Sequence, residues 1–181
     1  MADVTQCRLR AASHHDTKFI TSLFLEGVKN GHYDELVSPD NGNQKYSCGT
    51  LFEYCIFKPL IEGTPINMGA VSVRGRAVVY EDGKSRPLGF VIFRYPIEGD
   101  DSYYNKLEIW MLSLSNEALQ KKCGYGADLI DRAISLYSGH TMIVRCLPAS
   151  TRAMKRFEER GFSPDTPYNY GKRSKLFIRR S

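Results

Sequence analysis

The 181-residue sequence contains no run approaching the about 18 consecutive apolar residues of a membrane-spanning helix, which argues against a transmembrane segment. Its first residues, MADVTQCRLR, lack the apolar stretch of a secretory signal, so the reading is a cytoplasmic protein with no membrane partner. The five cysteines (Cys7, Cys48, Cys55, Cys123 and Cys146) are odd in number and show neither C-x-x-C pairs nor a histidine partner at ligand spacing. That speaks against a disulfide framework and against a metal site, and leaves reduced, mostly buried thiols. Repeats, low-complexity tracts and linkers are lacking too, and the length suffices to bury a core, so one domain spanning 1–181 is expected. A net charge of +5 is too modest to declare a nucleic-acid binder, but it suits an anionic ligand.

What is present is periodic. Residues 5–11 alternate polar and apolar, as a half-buried strand does. Ser13 and Asp16 form a capping-box pattern ahead of Phe19, Ile20, Leu23, Phe24 and Val28, whose helical spacing runs up to Gly31. Residues 32–49 are rich in turn formers and read mostly as loop, whereas 50–57 are apolar nearly throughout and read as a short buried helix ended by Pro59. Two runs of β-branched and aromatic residues, 70–81 and 86–96, flank Asp82-Gly83 and should pair as an antiparallel hairpin. After an exposed turn at 96–101, residues 104–114 make a third strand with the continuous apolar character of a central position.

Further on, Leu129, Ile130, Ala133, Ile134 and Tyr137 share one helical face closed by Gly139, and 140–147 read as a buried strand broken by Pro148. Residues 150–160 form a helix with Ala153, Met154 and Phe157 inward. Gly161 stops it, and Phe162 sits where a Schellman cap places a contact back to Phe157. The tail, 168–180, reads as a last strand. The order predicts an α/β (α+β) domain, a mixed but mostly antiparallel sheet flanked by helices on both faces.

The most informative stretch is 107–127, LEIWMLSLSNEALQKKCGYGA. An apolar strand carrying one acid, Glu108, passes through a polar loop into Lys121-Lys122-Cys123-Gly124-Tyr125-Gly126, and Ala127 opens a helical pattern. Such a strand-to-helix turn offers successive backbone N–H groups and a helix N-terminus to an anion, here read as a pyrophosphate. A nucleotide P-loop would need Gly-Lys-Ser/Thr where Ala127-Asp128 stand, and a dinucleotide fingerprint would need a small residue where Leu129 stands.

Three features together resemble the GNAT superfamily of acetyl-CoA-dependent N-acetyltransferases. The loop is similar to the family's Gln/Arg-x-x-Gly-x-Gly/Ala motif, Glu108-Ile109 enters the strand before it as the family's strand glutamate does, and AMKRFEERGF (153–162) resembles a second family block. Together they cover 70–162. The resemblance implies a GNAT-like fold and an enzyme moving acetyl from acetyl-CoA to a primary amine of a small molecule or protein, by direct transfer with Glu108 as general base. It implies that Leu112, Ser113 and Leu114 hold the pantetheine arm, one N–H among them polarising the thioester carbonyl. Lys121, Lys122, Cys123, Gly124, Tyr125, Gly126 and Ala127 would hold the pyrophosphate, and Ser150 stands at a helix start where the family often has asparagine. Phe157 occupies the place of a tyrosine that, in many members, protonates the departing thiolate; phenylalanine has no proton to give, so Tyr168, Tyr170, Tyr125 and bulk water are the alternatives. Acceptor choice is expected in 28–69 and 96–103, where Asp34, Glu35, Asp100 and Asp101 would attract a cation. Two rival readings are a non-catalytic CoA- or partner-binding module, supported by Phe157 and Ser150, and an enzyme acting on an RNA-borne amine such as aminoacyl-tRNA, supported by the basic tail (Lys172, Arg173, Lys175, Arg179, Arg180). A homodimer is the assembly considered.

Overall fold

The chain opens on a sheet edge, β1 (Arg8–Ala11), from which Ser13 and Asp16 launch the first helix, α1 (Thr17–Lys29), in a computed structural model that describes residues 4–37, 46–68, 71–96, 106–121, 123–165 and 174–180. The capping pattern forms as the spacing predicts: the Ser13 N–H donates to Asp16 Oδ2 at 2.8 Å. Asp16 also receives Arg10 through both oxygens, at 2.8 and 2.7 Å, and Arg10 and Arg8 in turn donate to the buried Glu81 at 2.7 and 2.8 Å. Side-chain charge thus ties the start of α1 to the sheet edge.

Residues 48–62 are helical throughout, as α2 (Cys48–Leu51), a π-helical segment (Phe52–Phe57) and α3 (Lys58–Glu62). Pro59 therefore does not end the helix as the sequence suggested; it sits in the first turn of α3, and Gly63, at φ 68°, closes the run. A proline lacks the N–H that the carbonyl one turn back would accept, and its ring crowds that carbonyl; the widened π turn is where the ladder absorbs the loss.

Next come β2 (Ile66–Met68), β3 (Val71–Glu81), β4 (Pro87–Pro96), β5 (Leu107–Leu114), α4 (Asn116–Gln120), α5 (Tyr125–Ser135), β6 (Met142–Cys146), α6 (Thr151–Glu158), β7 (Ser163–Pro164) and β8 (Lys175–Arg179). The predicted hairpin joins β3 to β4, but its turn is longer than Asp82-Gly83 alone: Asp82 accepts from the N–H groups of Lys84 and Arg86, and Ser85 takes the positive φ of 58°. The polar loop expected at 115–120 is instead the short helix α4, started by Ser115, whose hydroxyl accepts from the Ala118 N–H at 3.3 Å. The Schellman cap after α6 forms as read: Phe162 N–H donates to Phe157 O and Gly161 N–H to Glu158 O, with the Phe157 and Phe162 rings 5.1 Å apart.

The strands build one eight-stranded sheet, ordered β1-β3-β4-β5-β6-β8-β7 with β2 beside β3, and every pairing is antiparallel except β5 with β6. This is the expected mixed, mostly antiparallel α/β sheet. One core, including Tyr80, Leu107, Ile109, Leu129 and Phe157, packs α5 and α6 on one face; the other, including Phe24, Phe52, Val79, Phe90 and Ile92, packs α1 and the 48–62 helix on the opposite face. No described helix is long and apolar enough to cross a membrane. The turn at 97–101, Asp100 and Asp101, and Lys122, Tyr168, Tyr170, Lys172 and Arg173 fall outside the described residues.

Candidate active site

The unique parallel pairing in the described sheet is also its shortest central one. β5 and β6 are in register only from Leu107↔Met142 to Ile109↔Val144. At that point β5 carries a bulge against β4: Phe93 pairs with Ile109 and Ile92 with Met111, leaving Trp110 over. An extra residue bends its strand, and beyond Trp110 the two strands part, opening a cavity of about 470 Å³ between β5, β6, the start of α6 and the turn after α1. Leu112, Ser113, Leu114, Gly126 and Ser150, five of the residues proposed from sequence to hold the donor, line it.

Strand alternation decides what β5 offers there. The Ser113 carbonyl faces β4, lying 2.4 Å from where a Cβ on Gly89 would stand, so Gly89 is the residue that fits. Neighbouring residues in a strand point their N–H and C=O groups to opposite edges. The peptide edge of Leu112 therefore faces the gap.

At the far end of the gap α5 starts at Tyr125, two residues before the Ala127 that the sequence pattern suggested, so Tyr125 and Gly126 form its first turn. Gly124 precedes α5 at φ 81°, and its carbonyl accepts from the Ala127 and Asp128 N–H groups at 2.9 and 3.1 Å. The N–H groups of Tyr125 and Gly126 have no acceptor among the described residues, which leaves them for an anion. The Ala127 N–H is thus already used, and the Ala127 carbonyl accepts from Arg160 at 3.4 Å. Lys121 is paired with Glu117, its ammonium 2.5 Å from the carboxylate, and the Cys123 thiol donates to the Lys121 carbonyl at 3.0 Å. The side chain of Tyr125 is buried in the core, edge-on to Tyr80, so it brings only its backbone to the loop and is not placed as an acid.

The resemblance makes Glu108 a general base acting directly or through a water from a half-buried strand position. Glu108 is 3 % exposed and does not line the cavity. Arg94 Nε and Arg145 Nη1 both donate to its Oε2 at 2.6 Å, and the Arg94 guanidinium also lies 4.8 Å over the Trp110 ring. Oε1 is buried and has no partner among the described residues. A buried carboxylate oxygen in that state is a site for an ordered water. Arg145, which lines the cavity, went unremarked in the sequence, although a lone charge inside the apolar run 140–147 is the same signal that singled out Glu108.

Two other residues were missed. His32 and Tyr33, in the stretch read as loop, form part of the cavity wall. His32 Nδ1 lies 3.1 Å from Ser150 Oγ, and Tyr33 Oη donates to the Leu112 carbonyl at 2.6 Å. Burial pushes the Tyr33 phenol well above its ordinary range, against the opposing pull of hydrogen bonding at the Ser113 side chain and the Leu112 backbone. No local pattern announces these contacts, since Tyr33 and Leu112 are 79 residues apart. Asp34 and Glu35 are exposed and do not line the cavity, and no carboxylate does among the described residues. Nor does any group of three or more His, Cys, Asp or Glu among them form a metal cluster.

No model of a known protein family matches the sequence, and no curated protein does. Solved structures do match in fold. The chain superposes on the spermidine N-acetyltransferase of Vibrio cholerae in complex with CoA and spermine with a TM-score of 0.62, at 19 % identity, over 96 % of this chain and 94 % of that one. It matches a histone acetyltransferase HPA2 and related acetyltransferase from Corynebacterium glutamicum with a TM-score of 0.66, at 17 % identity, over 97 % and 96 %. For a GCN5-related N-acetyltransferase from Kribbella flavida the TM-score is 0.64, at 16 % identity, over 99 % and 100 %. The fold is that of the GNAT N-acetyltransferases.

Proposed function

We propose that this chain is an acetyl-CoA-dependent N-acetyltransferase, transferring acetyl directly to a primary amine of a small molecule or protein. The observation that carries the reading is the coincidence of a parted β5–β6 pair, with the Leu112 peptide edge facing the gap, and two unbonded N–H groups at the start of α5. The first suits an amide-bearing arm, which needs backbone donors and acceptors, and the second suits a pyrophosphate. In this reading Leu112, Ser113 and Leu114 take the arm, and the turn at Gly124 with the N–H groups of Tyr125 and Gly126 takes the phosphates, with Lys121 and Cys123 beside that turn and Ser150 in the cavity wall.

The chemistry asks for a neutral amine, since an alkylammonium near pKa ~10 has no lone pair to attack with. In this reading Glu108 accepts the proton through a water at Oε1, because burial and its two arginines leave no direct route. The Leu112 N–H polarises the thioester carbonyl. The amine nitrogen then bonds to the carbonyl carbon as the carbon–sulfur bond breaks.

Calorimetric titration with acetyl-CoA, followed by thiol release over an amine panel, tests the reading; absence of binding overturns it. Glu108→Gln should cut turnover while leaving acetyl-CoA binding in place, and unchanged turnover would remove Glu108 from the mechanism. Phe157, together with the locked state of Glu108, favours a second reading, a CoA-binding module without catalysis, which binding without turnover on any amine would support. The cytoplasm is the compartment and a homodimer the assembly expected, the latter checked by sedimentation.

A further inference from the structure

Phe157 has no proton to donate, yet the same cavity wall carries a phenol that arrives from the other side. We propose that Tyr33, in the turn after α1, is the catalytic acid that protonates the departing thiolate. The proposal rests on the acetyltransferase reading above.

The geometry sets the hydroxyl beside the peptide edge that faces the parted strands. Tyr33 Oη lies 2.6 Å from the carbonyl of Leu112, the residue whose peptide edge faces the parted strands. With the Leu112 N–H donating to the thioester carbonyl as proposed, the sulfur bonded to that carbonyl carbon comes to the same edge as the phenol. Rotation about the phenolic C–O bond carries the proton from the Leu112 carbonyl to sulfur. As the carbon–sulfur bond breaks, sulfur keeps the electron pair and takes the Tyr33 proton; the phenolate is reprotonated, through water, by the proton the amine gives up. No oxidant or further reactant is needed.

The surrounding structure is built to hold the ring there. Tyr33 stacks on Phe24, centroids 5.7 Å apart and planes 13° from parallel. Gly27, inside α1, has the ring directly against its backbone: a Cβ there would lie 2.4 Å from Cδ2 and Cε2 of Tyr33. A glycine inside a helix costs about 1 kcal/mol relative to alanine, and at Gly27 the space it leaves is filled by Tyr33. Gly31, at φ 73°, turns the chain at the end of α1, and the contact between His32 and Ser150 fixes the turn to the start of α6. A phenol is protonated at neutral pH, the state a donor needs.

Loss of a general acid should depend on how badly the leaving group needs it. Tyr33→Phe should bind acetyl-CoA as the wild type does and melt at a similar temperature, while its thiol-release rate falls about 100-fold. With 4-nitrothiophenyl acetate, whose thiolate leaves without a proton, the same substitution should cost no more than about twofold. Adding Phe157→Tyr should restore turnover with acetyl-CoA from the opposite wall, and Gly27→Ala, which displaces the ring, should reproduce the Tyr33→Phe pattern. Equal penalties with the two donors, or none with acetyl-CoA, overturn the proposal and make Tyr33 a packing residue. Wild-type protein that releases no thiol with any amine overturns the acetyltransferase reading and this proposal together, whereas wild-type turnover beside an unimpaired Tyr33→Phe protein overturns the tyrosine alone.

Discussion

The two faces of the sheet are made differently. On the α5–α6 face the helices are regular, capped by glycines in left-handed conformations, and in the proposed reaction their contribution is backbone N–H groups. On the α1 face the helical cover includes a π segment with a proline just beyond it, stacked aromatic rings and an ion-paired clasp, and the turn after α1 brings His32 and Tyr33 into the cavity wall. Binding by peptide groups tolerates a plain scaffold; positioning a single hydroxyl takes a ring stack, a glycine under the ring and a tied turn.

The largest effects should come from removing one ring on each face. Phe24→Ala and Phe157→Ala each remove a buried ring and should cost about 3–5 kcal/mol in urea unfolding. Their functional signatures should differ: Phe24→Ala unseats Tyr33 and lowers turnover more than acetyl-CoA affinity, while Phe157→Ala, in the cavity wall, lowers affinity. If both mutants lose affinity alike by calorimetry, the division between faces is broken.

Acid should separate the faces next. The hydrogen bond from Arg10 holds the Asp16 carboxyl below its usual range, with burial opposing and Ser13 assisting. For Glu81 burial pushes upward, but Arg10 and Arg8 more than offset it, and the net shift is again downward. A depressed folded-state pKa contributes stability that is present above the unfolded values of about 3.9 for Asp and about 4.3 for Glu, and that is lost as pH falls through the lower folded values. Hydrogen exchange below pH ~4 should therefore show α1 amides losing protection before those of α5 and α6. Simultaneous loss on both faces would refute the clasp.

The smallest effects should be a matched pair on the regular face. Gly124 and Gly161 have φ of 81° and 83° and open space where a Cβ would go, so alanine at either should cost about 1 kcal/mol through backbone strain alone. Only Gly124→Ala should also weaken acetyl-CoA binding, because only that glycine shapes the turn before the free N–H groups.

The same contrast explains what could be read from residues alone. The β3–β4 hairpin, the glycine loop, α5 and the Schellman end of α6 rest on neighbours within a few positions, so period and capping residues announce them. The bulge at Trp110, the passage of the helix beyond Pro59 and the reach of Tyr33 to Leu112 depend on partners far along the chain, and no local period encodes them. α4 was different: Ser115 as cap, Glu117 in the first turn and Lys121 one turn on were a legible start signal, masked by the expectation of a loop. Glu108 stood out as an acid among apolar residues, but its pairing with Arg145 required knowing that β5 and β6 lie side by side.

The parted strands have one more consequence. A ligand gripped by peptide edges imposes little on the identity of the side chains that carry them, provided the bulge and the small residues behind it keep the edges in place. At the half-buried Leu112 and Ser113, side chains should therefore be exchangeable so long as the strand still bends, whereas the buried Met111 and Leu114 are fixed by the two cores.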